Sequence, residues 1–124
     1  MASASVDGPL VIAIDSSTTS TKAIIVDVEG NVISLGRREI ALLSPEQGFG
    51  EHDPRQWWTS TREAVGEAVG KLTPAEKERI KAFGITHQRE SFAPFTADGT
   101  PLRNGILWLD IRAADQILRY GTPE

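Results

Sequence analysis

The chain contains no cysteine and only two histidines, His52 and His87, in 124 residues. Without thiols there is no disulfide framework, no thiolate nucleophile and no zinc-thiolate site, and two histidines do not by themselves make a metal cluster. Long apolar runs are missing as well. No stretch approaches the length of a membrane span, and the opening MASASVDGPL has neither a basic segment nor an apolar core of signal length. A cytoplasmic protein is therefore expected. A basic surplus is also lacking: 13 Lys+Arg stand against 17 Asp+Glu, a net charge of -4, which argues against nucleic acid or an anionic membrane as partner. Neither G-x-x-x-x-G-K-[ST] nor G-x-G-x-x-G occurs, so any phosphate site must be built another way. Repeats, low-complexity tracts and long linkers are absent, and nothing marks an internal domain boundary.

What is present fits one small soluble-type domain, with 40% hydrophobic and 24% charged residues. Residues 1–8 read as a flexible lead-in. The chain is then organised around VIAIDSSTTSTK, Val11 to Lys22. The apolar run Val11–Ile14 is too short and continuous for a helix and reads as a strand buried on both faces. The consecutive hydroxyl residues Ser16 to Thr21 hydrogen-bond their own backbone readily and should turn the chain sharply. Thr21–Val28 then returns as an antiparallel strand. This hairpin brings Asp15, hydroxyls, amides and Lys22 together, the residue types that phosphoryl-group binding with Mg²⁺ requires. A simple capped hairpin would have the same composition.

Glu29-Gly30-Asn31 makes a tight turn, and Val32–Leu43 supplies a third strand, carried past Gly36 by a bend or bulge. Asp53 and Pro54 suit the start of a helix whose Trp57, Thr61, Ala64, Val65, Ala68 and Leu72 recur at helical spacing. Thr73 and Glu76 form a capping-box pattern for a second short helix. Ile80–Thr86 and Ser91–Phe95 read as strands, Gly105–Leu109 as a brief apolar piece, and Ile111–Tyr120 as a helix ended by Gly121. Three antiparallel strands, a helix and a further strand predict an α/β chain of mixed sheet and flanking helices. This is the opening portion of a ribonuclease-H-like, actin-type ATPase fold.

Two further stretches carry candidate chemistry. In GITHQRE a strand ends in Gln88, Arg89 and Glu90. A planar guanidinium beside a carboxylate can donate to and accept from vicinal hydroxyls, although a solvated turn with a surface ion pair has the same residues. In NGILWLDIR, Trp108 between Asn104 and Asp110 is either core or the apolar wall of a sugar pocket. His52 reads as a loop hydrogen-bonding residue, and Trp57 and Trp58 as helix packing, one inward and one at the rim.

In order and spacing, IDSSTTSTK, FGEHDPRQWW, GITHQRE and NGILWLDIRA resemble the N-terminal part of the FGGY carbohydrate kinase family, its glycerol kinases above all. The opening motif is similar to D-x-G-T-T-S-x-[RK], matched by Asp15, Thr18, Thr19, Ser20 and Lys22, with Ser17 at the usual glycine. The resemblance implies that Thr18, Thr19, Ser20 and Lys22 meet ATP phosphates, that Asp15 holds Mg²⁺ through water, and that Gln88, Arg89, Glu90 and Trp108 meet the substrate. His87 and Leu109 depart from the asparagine and glutamine common in glycerol kinases, which leaves a pentulose or another polyol beside glycerol.

Residues 9–124 are thus expected to be the N-terminal part of domain I of such a kinase. Family members run to about four times this length, and their catalytic-base aspartate and adenosine-binding loops lie in the remainder. The chain alone is accordingly expected to be inactive and to work with the C-terminal portion of the same protein, and the resemblance implies a homo-oligomer. The alternative is a noncatalytic or actin-type ATPase domain without sugar chemistry.

Overall fold

In a computed structural model, residues 7–121 are described; most of the expected lead-in, residues 1–6, lies outside them. The described residues form strands β1 (Leu10–Ser16), β2 (Ser20–Val26), β3 (Val32–Glu39) and β4 (Glu51–His52), then helices α1 (Arg55–Gly70) and α2 (Pro74–Glu78). Strands β5 (Ile80–His87) and β6 (Gly105–Ile106) and helix α3 (Ala114–Tyr120) complete the order. Two compact units result where the sequence marked no boundary: 1–40 with 55–88, and 41–54 with 89–124, each within the described residues. Because each unit draws on separated stretches, no composition shift announces the division.

The first unit is a four-stranded sheet in the order β3-β2-β1-β5, with β1, β2 and β3 antiparallel and β5 parallel to β1. This is the expected mixed arrangement. Leu10, Ala23 and Ile25 pack against Ala64, Ala68 and Leu72, so part of one face of the sheet is covered by α1 and the residue that follows it by two places. Small residues on that stripe let the helix lie close. At Gly36 a Cβ would stand 2.0 Å from the Ala64 carbonyl oxygen, a distance no side chain can occupy. Gly36 is therefore a contact site for α1 rather than a bend: it pairs in register with Ala23, and the irregularity falls between Ile25 and Val26.

The third strand ends at Glu39, four residues short of the expected Leu43, which belongs to the second unit and bridges to Glu51 of β4 there. The expectation that β1 is buried on both faces is also corrected. Leu10 and Ile14 are buried but Ala13 is exposed, because α1 covers only one side. Strand β5 is more open still: Phe83 is 69% exposed although it shares the face covered by α1, since that helix lies over β2 and β3. The capping box at α2 is present, Thr73 accepting from Glu76 N–H while the Glu76 carboxylate accepts from Thr73 N–H.

In the second unit β4 and β6 form a two-stranded antiparallel sheet. The strand expected over Ser91–Phe95 reduces to isolated bridges, Phe92 to Ile106 and Phe95 to Pro101. Pro94 and Pro101 lack the N–H groups a continuous ladder needs. Helix α3 starts at Ala114 rather than Ile111, and its expected apolar side, Ile117 and Leu118, is exposed.

Candidate functional site

Strand pairing brings one group of expected site residues together within the sheet unit. Asp15 sits opposite Lys22 of β2 and, on its other side, opposite Thr86 of β5, so a carboxylate, an ammonium group and a hydroxyl share one row on the face away from α1. The turn beyond it is held by its own hydroxyls, as the sequence led one to expect. Ser17 donates from both N–H and Oγ to the Ser20 carbonyl oxygen, at 2.9 and 2.8 Å. Ser17 stands where the resemblance calls for glycine, yet its backbone does not enter the left-handed region and its side chain folds back onto the turn. Thr19 is exposed and its carbonyl oxygen accepts from Ile40 N–H at 2.9 Å.

Two expected site residues are placed differently. Ser20 is buried, so its hydroxyl is withdrawn from solvent and the turn uses its carbonyl oxygen. Gln88 belongs with the hairpin: its side-chain oxygen accepts from Thr18 Oγ1 at 3.2 Å. Beneath the hairpin, buried Thr21 and Ser60 share a hydroxyl hydrogen bond of 2.8 Å, anchoring the turn to α1. Thr86 and Ser60 went unnoticed in the sequence because only strand register and helix docking bring them here.

The other unit carries the remaining expected site residues. Arg89 and Glu90 are exposed, and among the described residues neither side chain has a hydrogen bond or ion pair. Glu90 has φ 64°, the one left-handed residue other than glycine in the described chain. Trp108 is 57% exposed, so the core reading of its indole does not hold, and its backbone N–H donates to Ser91 Oγ at 3.1 Å.

The segment carrying Trp108 is fixed by charge. Arg112 grips Asp110 with a two-pronged fork, Nε to Oδ1 at 2.8 Å and Nη2 to Oδ2 at 2.6 Å, and also donates from Nη2 to Glu51 Oε1 at 2.7 Å. Its guanidinium lies 3.8 Å from the Phe49 ring centroid. The Arg112 hydrogen bond is the largest cause holding both the Asp110 and Glu51 carboxyls below the ordinary range, and these bonds push Arg112 up. Glu51 was overlooked in the sequence. Its signal was a carboxylate inside FGEHDP, but the partners lie more than fifty positions away.

A mixed sheet whose first hairpin gathers a carboxylate, hydroxyls and a lysine defines an actin-type ATPase fold. The family model for the FGGY family of carbohydrate kinases, N-terminal domain, matches residues 10–120, and the chain belongs to that family. The glycerol kinase of Beutenbergia cavernae is 38% identical over 115 residues, which is 92% of this chain and 23% of that protein. The crystal structure of Plasmodium falciparum glycerol kinase with ADP superposes with a TM-score of 0.78 at 30% identity, covering 92% of this chain and 23% of the other. Xylulose kinase from Rhodospirillum rubrum gives a TM-score of 0.79 at 29% identity, covering 89% and 22%. The chain thus spans less than a quarter of the length of these relatives.

Proposed function

We propose that this chain, residues 9–124, is the N-terminal part of domain I of a kinase that transfers the γ-phosphoryl group of ATP to a hydroxyl of a sugar or polyol. Glycerol and a ketopentose are the leading substrate classes, in keeping with the relatives' glycerol and xylulose kinase activities. The observation that carries the reading is the Arg89-Glu90 pair, exposed and without partners among the described residues. Left uncommitted, the guanidinium donates to substrate oxygens and the carboxylate accepts from substrate hydroxyls, while the Trp108 indole offers an apolar wall to the C–H face.

On the nucleotide side Thr18, Thr19 and Lys22 meet the phosphates, the hydroxyls donating hydrogen bonds and the ammonium group offsetting charge. Ser20, being buried, shapes the turn through its carbonyl instead. No group of three or more His, Cys, Asp or Glu side chains could enclose a metal among the described residues. A lone Asp15 beside phosphate fits Mg²⁺, which keeps several waters and needs only one or two carboxylates. When bound, Mg²⁺ neutralises charge on the phosphate oxygens. The proton acceptor belongs to the remaining length typical of the relatives, so the 124-residue chain alone is inactive. A cytoplasmic setting, where ATP and Mg²⁺ are supplied, suits this chemistry and the lack of cysteine. Homo-oligomerisation is kept as part of the proposal by family resemblance only.

Steady-state kinetics of the kinase-length protein test the assignment. Arg89→Ala should raise KM for the accepted sugar or polyol by about ten- to a hundredfold while KM for ATP stays within about twofold. Asp15→Ala should remove magnesium-dependent turnover but leave substrate binding measurable by calorimetry. Equal rises in both KM values would reject the substrate role of Arg89, and retained turnover would reject Asp15.

A further inference from the structure

We infer that Glu51 is a positioning residue for the Trp108 wall of the substrate pocket, an inference that rests on the pocket reading given above. Regular pairing in this segment is limited to β6, two residues long, and a ribbon that short is marginal by itself. Side chains therefore hold Trp108 in place, and one carboxylate serves both ends of its segment. Before Trp108, Arg103 Nη2 donates to Glu51 Oε1 at 3.1 Å and Asn104 Nδ2 to Oε2 at 3.0 Å. After it, Arg112 Nη2 donates to Oε1 at 2.7 Å.

The Glu51 side chain is only 8% exposed, so its charge is answered by these groups rather than by water. The backbone reinforces the clamp next door: Leu107 N–H donates to the Gly50 carbonyl oxygen at 3.0 Å, and Gly50 N–H to Asp110 Oδ2 at 2.8 Å. Leu109 packs over this point, its Cδ1 lying within 2.3 Å of where a Cβ on Gly50 would stand. The Trp108 backbone N–H in turn donates to the Oγ of Ser91, the residue after Glu90. A change at Glu51 is thereby felt at the spacing between the indole and the Arg89-Glu90 pair, without Glu51 touching substrate.

Glu51→Gln keeps the shape but places an amide donor where at least one arginine or Asn104 donor now points. In the kinase-length protein it should raise sugar or polyol KM about tenfold, with ATP KM kept within about twofold. It should also shift the Trp108 indole N–H resonance, assigned with Trp108→Phe. Arg89→Ala is measured in parallel. If it raises sugar KM and Glu51→Gln does not, the positioning role is overturned and the pocket stands. If neither raises it, pocket and positioning fall together. A Glu51→Gln protein with less folded material and both KM values unchanged makes the clamp merely structural and overturns the inference. Should that variant fail to fold, Arg112→Lys, which keeps the charge and loses the fork, decides by the same split: a selective rise in sugar KM supports the role, and unchanged or equally raised KM values overturn it.

Discussion

Glu90 holds a backbone conformation that asparagine, aspartate and glycine adopt far more readily than glutamate. Such outliers persist where surrounding structure imposes them, and they concentrate at binding and catalytic sites. Here the strain aims a carboxylate that is left unpaired among the described residues. Chemistry and strain separate by substitution. Glu90→Asn should melt at or slightly above the parent temperature yet raise sugar or polyol KM about ten- to a hundredfold. A melting temperature several degrees lower, by calorimetry, would show that the glutamate side chain itself stabilises the turn. At this scale the sequence was most informative about residue type: Asp15, Lys22, Arg89 and Glu90 stood out because each matched a chemical need. It did not show that Ser20 is buried or that Gln88 accepts from Thr18, since whether a hydroxyl is buried and which neighbour takes an amide oxygen are set by packing.

Elements here depend on contacts that a one-dimensional pattern describes only in part. Helix α1 was legible from the spacing of Ala64, Ala68 and Leu72, and the hairpin from its hydroxyl turn. The role of Gly36 was not legible, because a glycine that admits a helix looks the same in sequence as one that admits a bulge. Gly36→Ala should destabilise the sheet unit by about 1–3 kcal/mol or more through overpacking, read as a shift in urea midpoint. A neutral result would mean α1 can draw back from β3. The β4–β6 ribbon has a different sensitivity. Glu51 and Asp110 bind protons less readily folded than unfolded, with Arg112 the first cause in each case. Their contribution is complete above the ordinary values, 4.5 for Glu51 and 3.8 for Asp110, and drains away as pH falls below them. Melting temperature should therefore decline below about pH 4.5, and Glu51→Gln should flatten part of that acid limb.

Across the whole molecule the most consequential feature is the exposure of β5. A strand paired parallel is ordinarily covered on both faces, yet Phe83 and Ile85 are 69% and 56% exposed. Its outer edge also carries no further strand among the described residues. The 124-residue chain should accordingly bind the dye ANS and self-associate as concentration rises, and Phe83→Lys with Ile85→Thr should reduce both. Dye binding unchanged in the double variant would place the sticky surface elsewhere. The sequence by itself determined the family, the first three strands, α1 and β5, because hydrophobic period, turn residues and motif spacing are local properties. Tertiary structure alone decided that the chain divides into two interleaved units and that β5 lies beyond the cover of α1. It also decided that Glu51 meets Arg103, Asn104 and Arg112 across more than fifty residues. Those facts depend on which surfaces meet, and a surface exists only once the chain has closed on itself.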